Sequence, residues 1–521
     1  MEGRAGRMLA ILAIALGLVG PAWSQAAERM KITVANYQKG PTDPKGEMLA
    51  YFGAKWGVDF KVHNINNDRY HEILNVKLAA GDIPDFLYLA RADTLGAYVK
   101  QGVLAKLTPE LIQENAPDLW NAINAYAPGY MDMGKVNGIQ YGIPAVASGN
   151  ALHIPLVYRG DWMEKVGVAK VPETLAEFES LMYKFAHDDP DGDGKKNTYG
   201  LSLDGLNAVF GAFGLVPADR TEIYWMLDGG KIISHSVAPD ARLALEILAK
   251  WYKDGVIDPE FVTGENHGGY WALSHAFIKG RIGFSAHGNY YHWTTAGAFT
   301  NVGKDGSKVP CQAFANGLEV PAANKKAKIA FGNSLKGPTG KQGIKEYNRL
   351  MNFITIGKPA EKESGKIEKI LQILNESASP DWPTRQTLQA GLVGKHWKVL
   401  DAETETGMAL PPYDKDVGYA SRIGCVMWMA VPFPQKDPSS RWAIDVLHYD
   451  RYGIESLVQV SLPKAAKRKD ELQKIRDKYY IRIITGALPV AAFDEFVQKY
   501  EAAGYAEIRQ EAQAYYDAQA K

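Results

Sequence analysis

Two kinds of short apolar run alternate along this chain, and this alternation limits its possible folds more than any other feature. Strand-like runs include MKITVAN (Met30–Asn36), DFLYLA (Asp85–Ala90) and GRIGFSA (Gly280–Ala286). Helical runs such as RYHEILNVKLAAG (Arg69–Gly81) and RLALEILAKWYKDG (Arg242–Gly255) lie between them. The pattern predicts α/β units with open sheets covered by helices, where ligands bind beyond the strand ends. With 521 residues, 46% of them hydrophobic, the chain can form two substantial cores.

Residues 1–26 have the pattern of a secretory signal peptide. Arg4 and Arg7 precede the apolar run Met8–Val19, and small residues follow it. The run is shorter than the roughly 20 apolar residues that span a membrane. No cysteine lies near the expected cleavage site after Ser24 or Ala26. We therefore expect a free periplasmic protein and no lipid anchor.

Charge and cysteine content exclude some functions and leave one structural question open. The chain has 59 basic and 59 acidic residues, a balance that argues against a nucleic-acid-binding surface. Its two cysteines are Cys311 and Cys425. In an oxidising compartment they form either one disulfide or two buried thiols, and the sequence does not decide between these.

An acidic segment, DDPDGDGKKNTYG (Asp188–Gly200), begins like a calcium loop. Asp189, Asp191 and Asp193 occupy loop positions 1, 3 and 5, and Gly194 stands where the chain must turn. The Lys195 carbonyl and the Asn197 side chain would supply two more oxygen ligands. Position 12 is Gly200 instead of the usual glutamate, so one strong ligand is missing. The alternative is an Asp/Gly-rich turn without a metal.

The flanks of this acidic segment predict a helix before it and a strand after it. Apolar residues recur at helical spacing from Leu175 to Phe185, and TYGLSL (Thr198–Leu203) has the composition of a strand. A calcium ion here would clamp a helix to a strand. It would not operate a paired helix-loop-helix switch.

Several segments, in order, resemble one known family. They are KLAAGDIPDFLYL (Lys77–Leu89), GKVNGIQYGIPA (Gly134–Ala145), the long stretch Leu156–Ser202, WYKDGVIDPEF (Trp251–Phe261), GRIGF, LKGPTGK (Leu335–Lys341) and GLVGKHWKV (Gly391–Val399). This order is similar to that of family 1 extracellular solute-binding proteins of ABC importers. The closest resemblance is to the long oligosaccharide-binding branch that includes alginate-binding and lipoprotein-type sugar binders.

The resemblance implies a large, type II-like periplasmic-binding-protein fold with two discontinuous α/β lobes joined by hinge crossings. We expect crossings near Ala151–Tyr158, Phe331–Gly340 and Leu388–Lys395. Lobe 1 would then comprise residues 28–152 plus 338–392. Lobe 2 would comprise residues 153–337 plus 393–521, including the calcium-loop segment 189–198.

The resemblance also bears on the calcium loop. Relatives in this branch place calcium in the matching loop, which supports Asp189, Asp191, Asp193, Lys195 and Asn197 as ligands. Position 10 is Thr198, where relatives usually carry glutamate, so we expect weaker binding here.

A sugar site needs flat aromatic platforms flanked by polar side chains that bond to hydroxyls. The densest aromatic cluster is HGNYYHW, His287–Trp293, directly after the GRIGF strand. The candidate ligand-binding residues are therefore Tyr290, Tyr291, Trp293, Trp271 and Trp428 in lobe 2, and Tyr37, Gln38, Arg91 and Tyr141 in lobe 1. For each of them the alternative is ordinary packing in a core.

The leading functional hypothesis is a monomeric periplasmic receptor that captures an oligosaccharide and delivers it to an inner-membrane ABC permease, without catalysis. A secreted glycan-acting enzyme is the first alternative and would need two carboxylates about 5 to 10 Å apart. A receptor for a peptide or another small polar solute is the second. The sequence contains no GxSxG, HExxH, CxxC or P-loop signature. An acidic sugar would need cations, for which Arg91, Arg159, Lys395 and His396 are candidates.

Overall fold

The computed structural model describes residues 29–38, 41–66, 69–89, 94–146, 154–216, 223–268, 271–294, 299–302, 308–310, 315–345, 350–416, 418–426, 436, 441, 445, 448–460 and 462–519. The strands in these ranges are β1 Met30–Gln38, β2 Val58–Asn66, β3 Phe86–Leu89, β4 Lys135–Val136, β5 Ile139–Gln140, β6 Gly142–Val146, β7 Leu156–Arg159, β8 Trp225–Asp228, β9 Lys231–Ser234, β10 Phe284–Ser285, β11 Phe299–Val302, β12 Lys308–Pro310, β13 Ile329–Gly332, β14 Ile344–Lys345, β15 Leu350–Ile356, β16 Trp397–Asp401, β17 Thr406–Ala409 and β18 Gly453–Ile454.

The α-helices in the same ranges are α1 Glu47–Trp56, α2 Tyr70–Ala79, α3 Leu95–Gln101, α4 Pro109–Asn115, α5 Pro117–Tyr126, α6 Gly160–Lys165, α7 Leu175–His187, α8 Leu206–Gly211, α9 Pro239–Lys253, α10 His275–Ile278, α11 Ala315–Ala323, α12 Lys366–Asn375, α13 Trp382–Ala390, α14 Tyr419–Arg422, α15 Tyr449–Tyr452, α16 Ala465–Ile484, α17 Ala492–Tyr500 and α18 Ala506–Gln519.

The first lobe is built on a five-stranded sheet in the order β2-β1-β3-β15-β6. Strands β1, β2 and β3 are parallel, whereas β15 is antiparallel to both β3 and β6. Alternate residues face opposite sides of a strand. Val34 and Phe86 therefore join one core, while their neighbours Ala35 and Leu87 join a second core on the other face.

The second lobe has a larger, helix-rich core. The antiparallel sheet β10-β7-β13 lies beside α7 and α9, and the C-terminal helices α16 to α18 contribute residues to the same core. Phe496 and Ile508 are fully buried there. The sequence also sets the start of α7, since Thr174 and Glu177 form a capping box.

The division between the two cores differs from the expected lobe boundaries at two places. Core membership changes between Val146 and Ile154, which overlaps the first expected crossing. The next change lies between Ile344 and Leu350, and the last between Val426 and Gly453. The expected crossings near residues 331–340 and 388–395 are therefore displaced toward the C-terminus.

Hydrogen bonds and packing explain both displacements. Residues 331–340 stay with the second lobe because Gly332 pairs with Leu156, and Lys336 exchanges backbone hydrogen bonds with the start of α7. Segment 393–426 belongs to the first lobe because Trp397 is fully buried against Trp382, with ring centroids 5.2 Å apart.

Most of the expected elements lie where the sequence places them, but TYGLSL does not form a continuous strand, and of GRIGFSA only Phe284–Ser285 is a strand. Tyr199 bridges to Ile282 and Leu201 bridges to Ile257, so each residue pairs with a different neighbour and no ladder develops. Cys425 is a buried thiol whose pKa is raised to about 12 by burial, and Cys311 lies outside the described residues. No helix in the described part of the chain is both long and apolar enough to cross a membrane.

A buried charged contact fixes α12 to the first sheet and gives a test of the fold. Asp85 accepts hydrogen bonds from the Thr33 backbone and hydroxyl, each at 2.8 Å, and lies 3.5 Å from Lys366 Nζ. Asp85→Ala should destabilise the first lobe by about 3 kcal/mol or more, because it leaves buried donors unpaired. Thermal and denaturant unfolding followed by circular dichroism would measure the loss.

Asp82→Ala is the matched control, since the Asp82 side chain is 46% exposed and forms a surface pair with Lys77. It should cost at most about 1 kcal/mol. Equal destabilisation by the two variants would contradict the role assigned to Asp85.

Candidate ligand-binding site

The carboxyl ends of β1, β2 and β3 meet at one edge of the first sheet, where open α/β sheets place their ligands. A polar network that the sequence did not reveal lies at this edge. Thr42 donates its backbone N–H to Asn64 Oδ1 at 2.8 Å, and its hydroxyl oxygen accepts a hydrogen bond from Asn36. Asn352, at the start of β15, donates to the Tyr88 hydroxyl at 2.5 Å. These residues lie far apart in sequence, so only strand pairing brings them together.

Two of these amides retain unused acceptor capacity. Asn36 Oδ1 and Asn352 Oδ1 are buried and have no hydrogen-bond partner among the described residues. Sugar hydroxyls are donors that such oxygens can accept. The edge is therefore polar and chemically suited to a hydroxylated ligand.

The first-lobe candidates from the sequence are only partly described. Tyr37 and Gln38 end β1, where they pair with Ile65 and Asn66, but their side chains lie outside the described residues. Arg91 lies outside the described residues altogether. Tyr141 is half-buried and packs against the core that contains Leu87 and Phe353.

In the second lobe, the aromatic loop after β10 divides into packing residues and accessible ones. Trp293 is 2% exposed, its ring meets Phe277 edge-on at 5.2 Å, and its indole N–H donates to the His287 carbonyl at 2.8 Å. Tyr290 is 3% exposed within the large core. Neither ring offers a face to a ligand in this conformation, so their assignment as sugar platforms does not fit the structure.

Among the described residues of this region, the more accessible aromatic residues are Trp271 and Tyr291. Trp271 is 48% exposed, an unusual state for a large apolar ring. Its indole meets the His292 ring edge-on at 5.0 Å. Tyr291 is half-buried, and its hydroxyl accepts a hydrogen bond from Asn289 at 2.8 Å. The remaining second-lobe candidate, Trp428, lies outside the described residues.

Arg159 and Lys395, two of the residues considered for an acidic sugar, form intramolecular ion pairs, and His396 is held by hydrogen bonds. Arg159 bonds Asp161 at 2.7 Å and lies over the Trp162 ring. Lys395 and His396 both contact Glu47, whose pKa is lowered by these hydrogen bonds. Recruiting any of them to a ligand carboxylate would break an existing pair.

The acidic loop brings its three aspartates together. Asp189, Asp191 and Asp193 each offer a carboxylate oxygen, and these oxygens all lie within 4.8 Å of one another. Burial and then the hydrogen bond and charges of the neighbouring aspartates raise the pKa of Asp191. This donor set of hard oxygens fits a calcium ion, which would relieve the repulsion. Asn197 lies beside it and donates to Asp193 Oδ2 at 3.0 Å.

Packing explains why positions 12 and 10 of this loop carry no carboxylate. A side chain at Gly200 would meet Met182 and Val256 at about 3 Å, so no glutamate fits at position 12. At position 10, Thr198 is buried and donates its hydroxyl to the Phe185 carbonyl at 3.0 Å. That bond ties the end of α7 to the segment after the loop, and two ammonium groups, Lys195 and Lys165, lie near the acidic residues.

Comparison with known proteins identifies the family. Residues 47–330 match the family model described as bacterial extracellular solute-binding protein. The chain belongs to this family.

Relatives of known name agree with this membership. The chain is 24% identical over 450 residues to "Polygalacturonan/rhamnogalacturonan-binding protein YtcQ" of Bacillus subtilis (strain 168), covering 84% of this chain and 81% of the relative. "Lipoprotein LipO" of the same organism is 24% identical over 370 residues, covering 70% of this chain and 66% of the relative.

Solved structures share the two-lobed α/β fold. The alginate-binding protein AlgQ2, solved without calcium ion, superposes with a TM-score of 0.67 at 16% identity, covering 94% of this chain and 98% of that one. The S. pneumoniae ABC-transporter substrate binding protein FusA, in complex with kestose, gives a TM-score of 0.65 at 16% identity, covering 94% and 99%. At this identity the likeness shows the fold alone, and it is that of two-domain solute-binding proteins.

Replacing Trp293 and Trp271 separately tests whether the first is a packing residue and the second an accessible one. Trp293→Ala should cost about 3–5 kcal/mol, because it removes a buried ring from a packed core. Trp271→Ala should change the free energy of unfolding by less than about 1 kcal/mol, since half of the ring is already exposed. Thermal unfolding of both variants measures this difference, and a large loss in Trp271→Ala would show that its ring is a packing residue.

Proposed function

We propose that this protein is the periplasmic solute-binding component of an ABC importer and captures an oligosaccharide between its two lobes. The observation that carries the proposal is the half-exposed indole of Trp271, which meets the ring of His292 in the aromatic loop that directly follows β10. In a fold that closes around its ligand, an exposed indole on a fixed loop supplies the stacking surface that a sugar ring needs.

The names of the relatives support a sugar as the ligand. YtcQ is named for binding polygalacturonan and rhamnogalacturonan, and FusA was solved with kestose. The first-lobe edge would complement Trp271 in an open form that exposes the oxygens of Asn36 and Asn352, which are buried in this conformation and have no hydrogen-bond partner among the described residues. In this proposal the protein acts as a monomer without a lipid anchor, delivers its ligand to an inner-membrane permease and catalyses no reaction.

The ion pairs of Arg159 and Lys395 and the hydrogen bonds of His396 favour a neutral sugar over a uronate at the described part of the site. Binding a carboxylate there would sacrifice a contact that already exists. Comparing neutral with acidic oligosaccharides of equal length is therefore the informative experiment.

Calorimetric titration of the mature protein with kestose, larger neutral glycans and oligogalacturonates tests the proposed function. We expect saturable 1:1 binding, no change in the recovered sugar, and an affinity about 5- to 30-fold weaker in Trp271→Ala, equivalent to about 1–2 kcal/mol. Leu243→Ala is the matched control, because Leu243 is 42% exposed on α9 and should not affect binding.

Each contrary outcome has a defined meaning. Conversion of the bound sugar would favour the glycan-acting enzyme. Binding of peptides but of no sugar would favour the second receptor alternative. Full affinity in Trp271→Ala would remove this indole from the site.

We also propose that Asp189, Asp191 and Asp193, with the Lys195 carbonyl and Asn197, hold a structural calcium ion. The clustered carboxylate oxygens support this, and the solved relatives include AlgQ2 without calcium ion and a FusA EF-hand mutant. The ion would neutralise the loop and add to the Thr198–Phe185 link. It would take no part in sugar chemistry.

Chelation tests the calcium proposal. Calcium at about 100 times its dissociation constant should stabilise the second lobe by roughly 2.7 kcal/mol, and excess chelator should remove that gain. Asp191→Asn should reduce the effect, whereas Asp188→Asn, just outside the alternating set, should not. An unfolding temperature indifferent to calcium and chelator in all three proteins would refute the site.

A further inference from the structure

A buried polar network lies behind the Trp271 segment. Glu265 is fully buried, and its Oε2 accepts hydrogen bonds from the hydroxyls of Ser274 and Ser285, both at 2.5 Å. Its Oε1 has no hydrogen-bond partner among the described residues. Burying a carboxyl group in a core costs free energy unless hydrogen bonds or a paired charge compensate for its lost hydration. We therefore looked for a role of this network other than packing.

His287 connects this network to Trp271 through both ring nitrogens. Nδ1 lies 2.7 Å from Asp204 Oδ2, and Nε2 lies 2.7 Å from the Trp271 carbonyl oxygen. A carbonyl and an ionised carboxylate both accept hydrogen bonds, so each nitrogen must carry a proton. The imidazolium form alone satisfies both contacts, and it ties the Trp271 backbone to Asp204 in the segment after the acidic loop.

Further contacts hold the residues on either side of this hydrogen bond. Asn316 donates to the Ala272 carbonyl at 2.7 Å and accepts from the Ser274 backbone N–H at 2.9 Å. Gly288 has φ of 77°, and a side chain there would approach the Ala272 oxygen to 3.2 Å. The backbone around Trp271 is thus held from two sides while its indole remains half exposed.

We propose that His287 is a positioning residue that fixes the Trp271 segment and thereby presents the indole as a sugar platform. The sugar role rests on the proposed function, whereas the mechanical role stands on the contacts alone. His287 touches no ligand in this arrangement, because both of its ring nitrogens are used within the protein.

The charges around His287 set the direction of its pH dependence. Burial would lower the pKa of His287, but the hydrogen bond and charge of Asp204, the charge of Glu265 and the Trp271 carbonyl raise it to about 9. His275 on α10 also faces this region, and His292 lies against Trp271. Burial and then the charge of Asp204 raise the pKa of Glu265 to about 7, against the effects of His287 and the two serines.

Because the folded pKa of His287 lies above the ordinary value of 6.5, its stabilising effect is complete below about pH 6.5. The effect is lost as pH rises toward and through about 9. Glu265 acts in the same direction at lower pH, since its raised pKa costs stability as pH rises from about 4.5 to 7. Measurements above pH 7.5 therefore isolate the histidine.

Hydrogen exchange of the peptide spanning 271–276 in the ligand-free, full-length mature protein tests the positioning role. After correction for intrinsic exchange rates, protection of the Ser274 amide should fall at least about tenfold between pH 7.5 and 10 in the wild type. His287→Gln, whose two N–H donors share one nitrogen and so cannot reach acceptors on opposite sides of the ring, should show the low protection at every pH. Asp204→Asn should move the wild-type transition to lower pH.

His275→Gln is the matched control, because His275 lies on α10 and its Nδ1 accepts a hydrogen bond from the His267 backbone N–H at 3.0 Å. It should retain the wild-type profile. Protection in the wild type that is flat with pH and equal to that of His287→Gln would overturn the proposal. If His287→Gln fails to fold, an unshifted transition in Asp204→Asn overturns it instead.

Titrations with kestose and an oligogalacturonate at pH 7.5 then separate this proposal from the proposed function. A loss of affinity in His287→Gln comparable to that in Trp271→Ala supports both. Lower amide protection in His287→Gln with unchanged sugar affinity would overturn the role of His287 in presenting the indole to a sugar. Its role in holding the backbone of the Trp271 segment would stand. Absence of sugar binding in the wild type counts against the proposed function, while the exchange profile still decides whether His287 positions the segment.

Discussion

The pairing of β15 between β3 and β6 is the contact on which the two-lobed architecture depends. β3 and β6 belong to the first 146 residues, whereas β15 begins at Leu350, after the chain has built most of the second lobe. The chain must therefore return to finish the first sheet and leave it again after Val426. Three passages between lobes follow from this one pairing, and several connecting segments allow hinge closure while keeping the lobes aligned.

Local sequence patterns predicted the helices and strands well but the crossings between the lobes poorly. β1, β3, α2, α7 and α9 lie where alternation and helical spacing place them, because each pattern reflects burial on one face. The crossings depend on which core a segment joins. Nothing local distinguishes Leu335, which packs in the second lobe, from Leu350, which packs in the first. TYGLSL fails as a strand for a related reason, since a ladder needs one continuous partner.

The site shows the same limit at the level of single residues. The sequence singled out the aromatic loop as a candidate, but tertiary contacts decide which aromatic rings of this region are exposed. Trp293 bonds the His287 carbonyl and fills a core, whereas Trp271, outside the densest part of the motif, keeps half of its ring in solvent. A count of aromatic residues favours the former, although a ligand can reach the latter. The Asn36 and Asn352 edge had no sequence signal, because strand pairing alone assembles it.

The acidic loop and the contacts of His287 are two polar features of the second lobe that do the same thing. Each holds an irregular segment in place against its surroundings. In the acidic loop, Thr198 makes a neutral bond to the end of α7, so calcium would reinforce a link that already exists. Behind Trp271, His287 makes the corresponding link through a charged imidazole, with Asp204 as its partner. Asp204 follows the acidic loop by only a few residues in the chain. The segment that calcium would steady also carries Asp204, so a calcium ion in the loop would be connected through Asp204 and His287 to the backbone of Trp271.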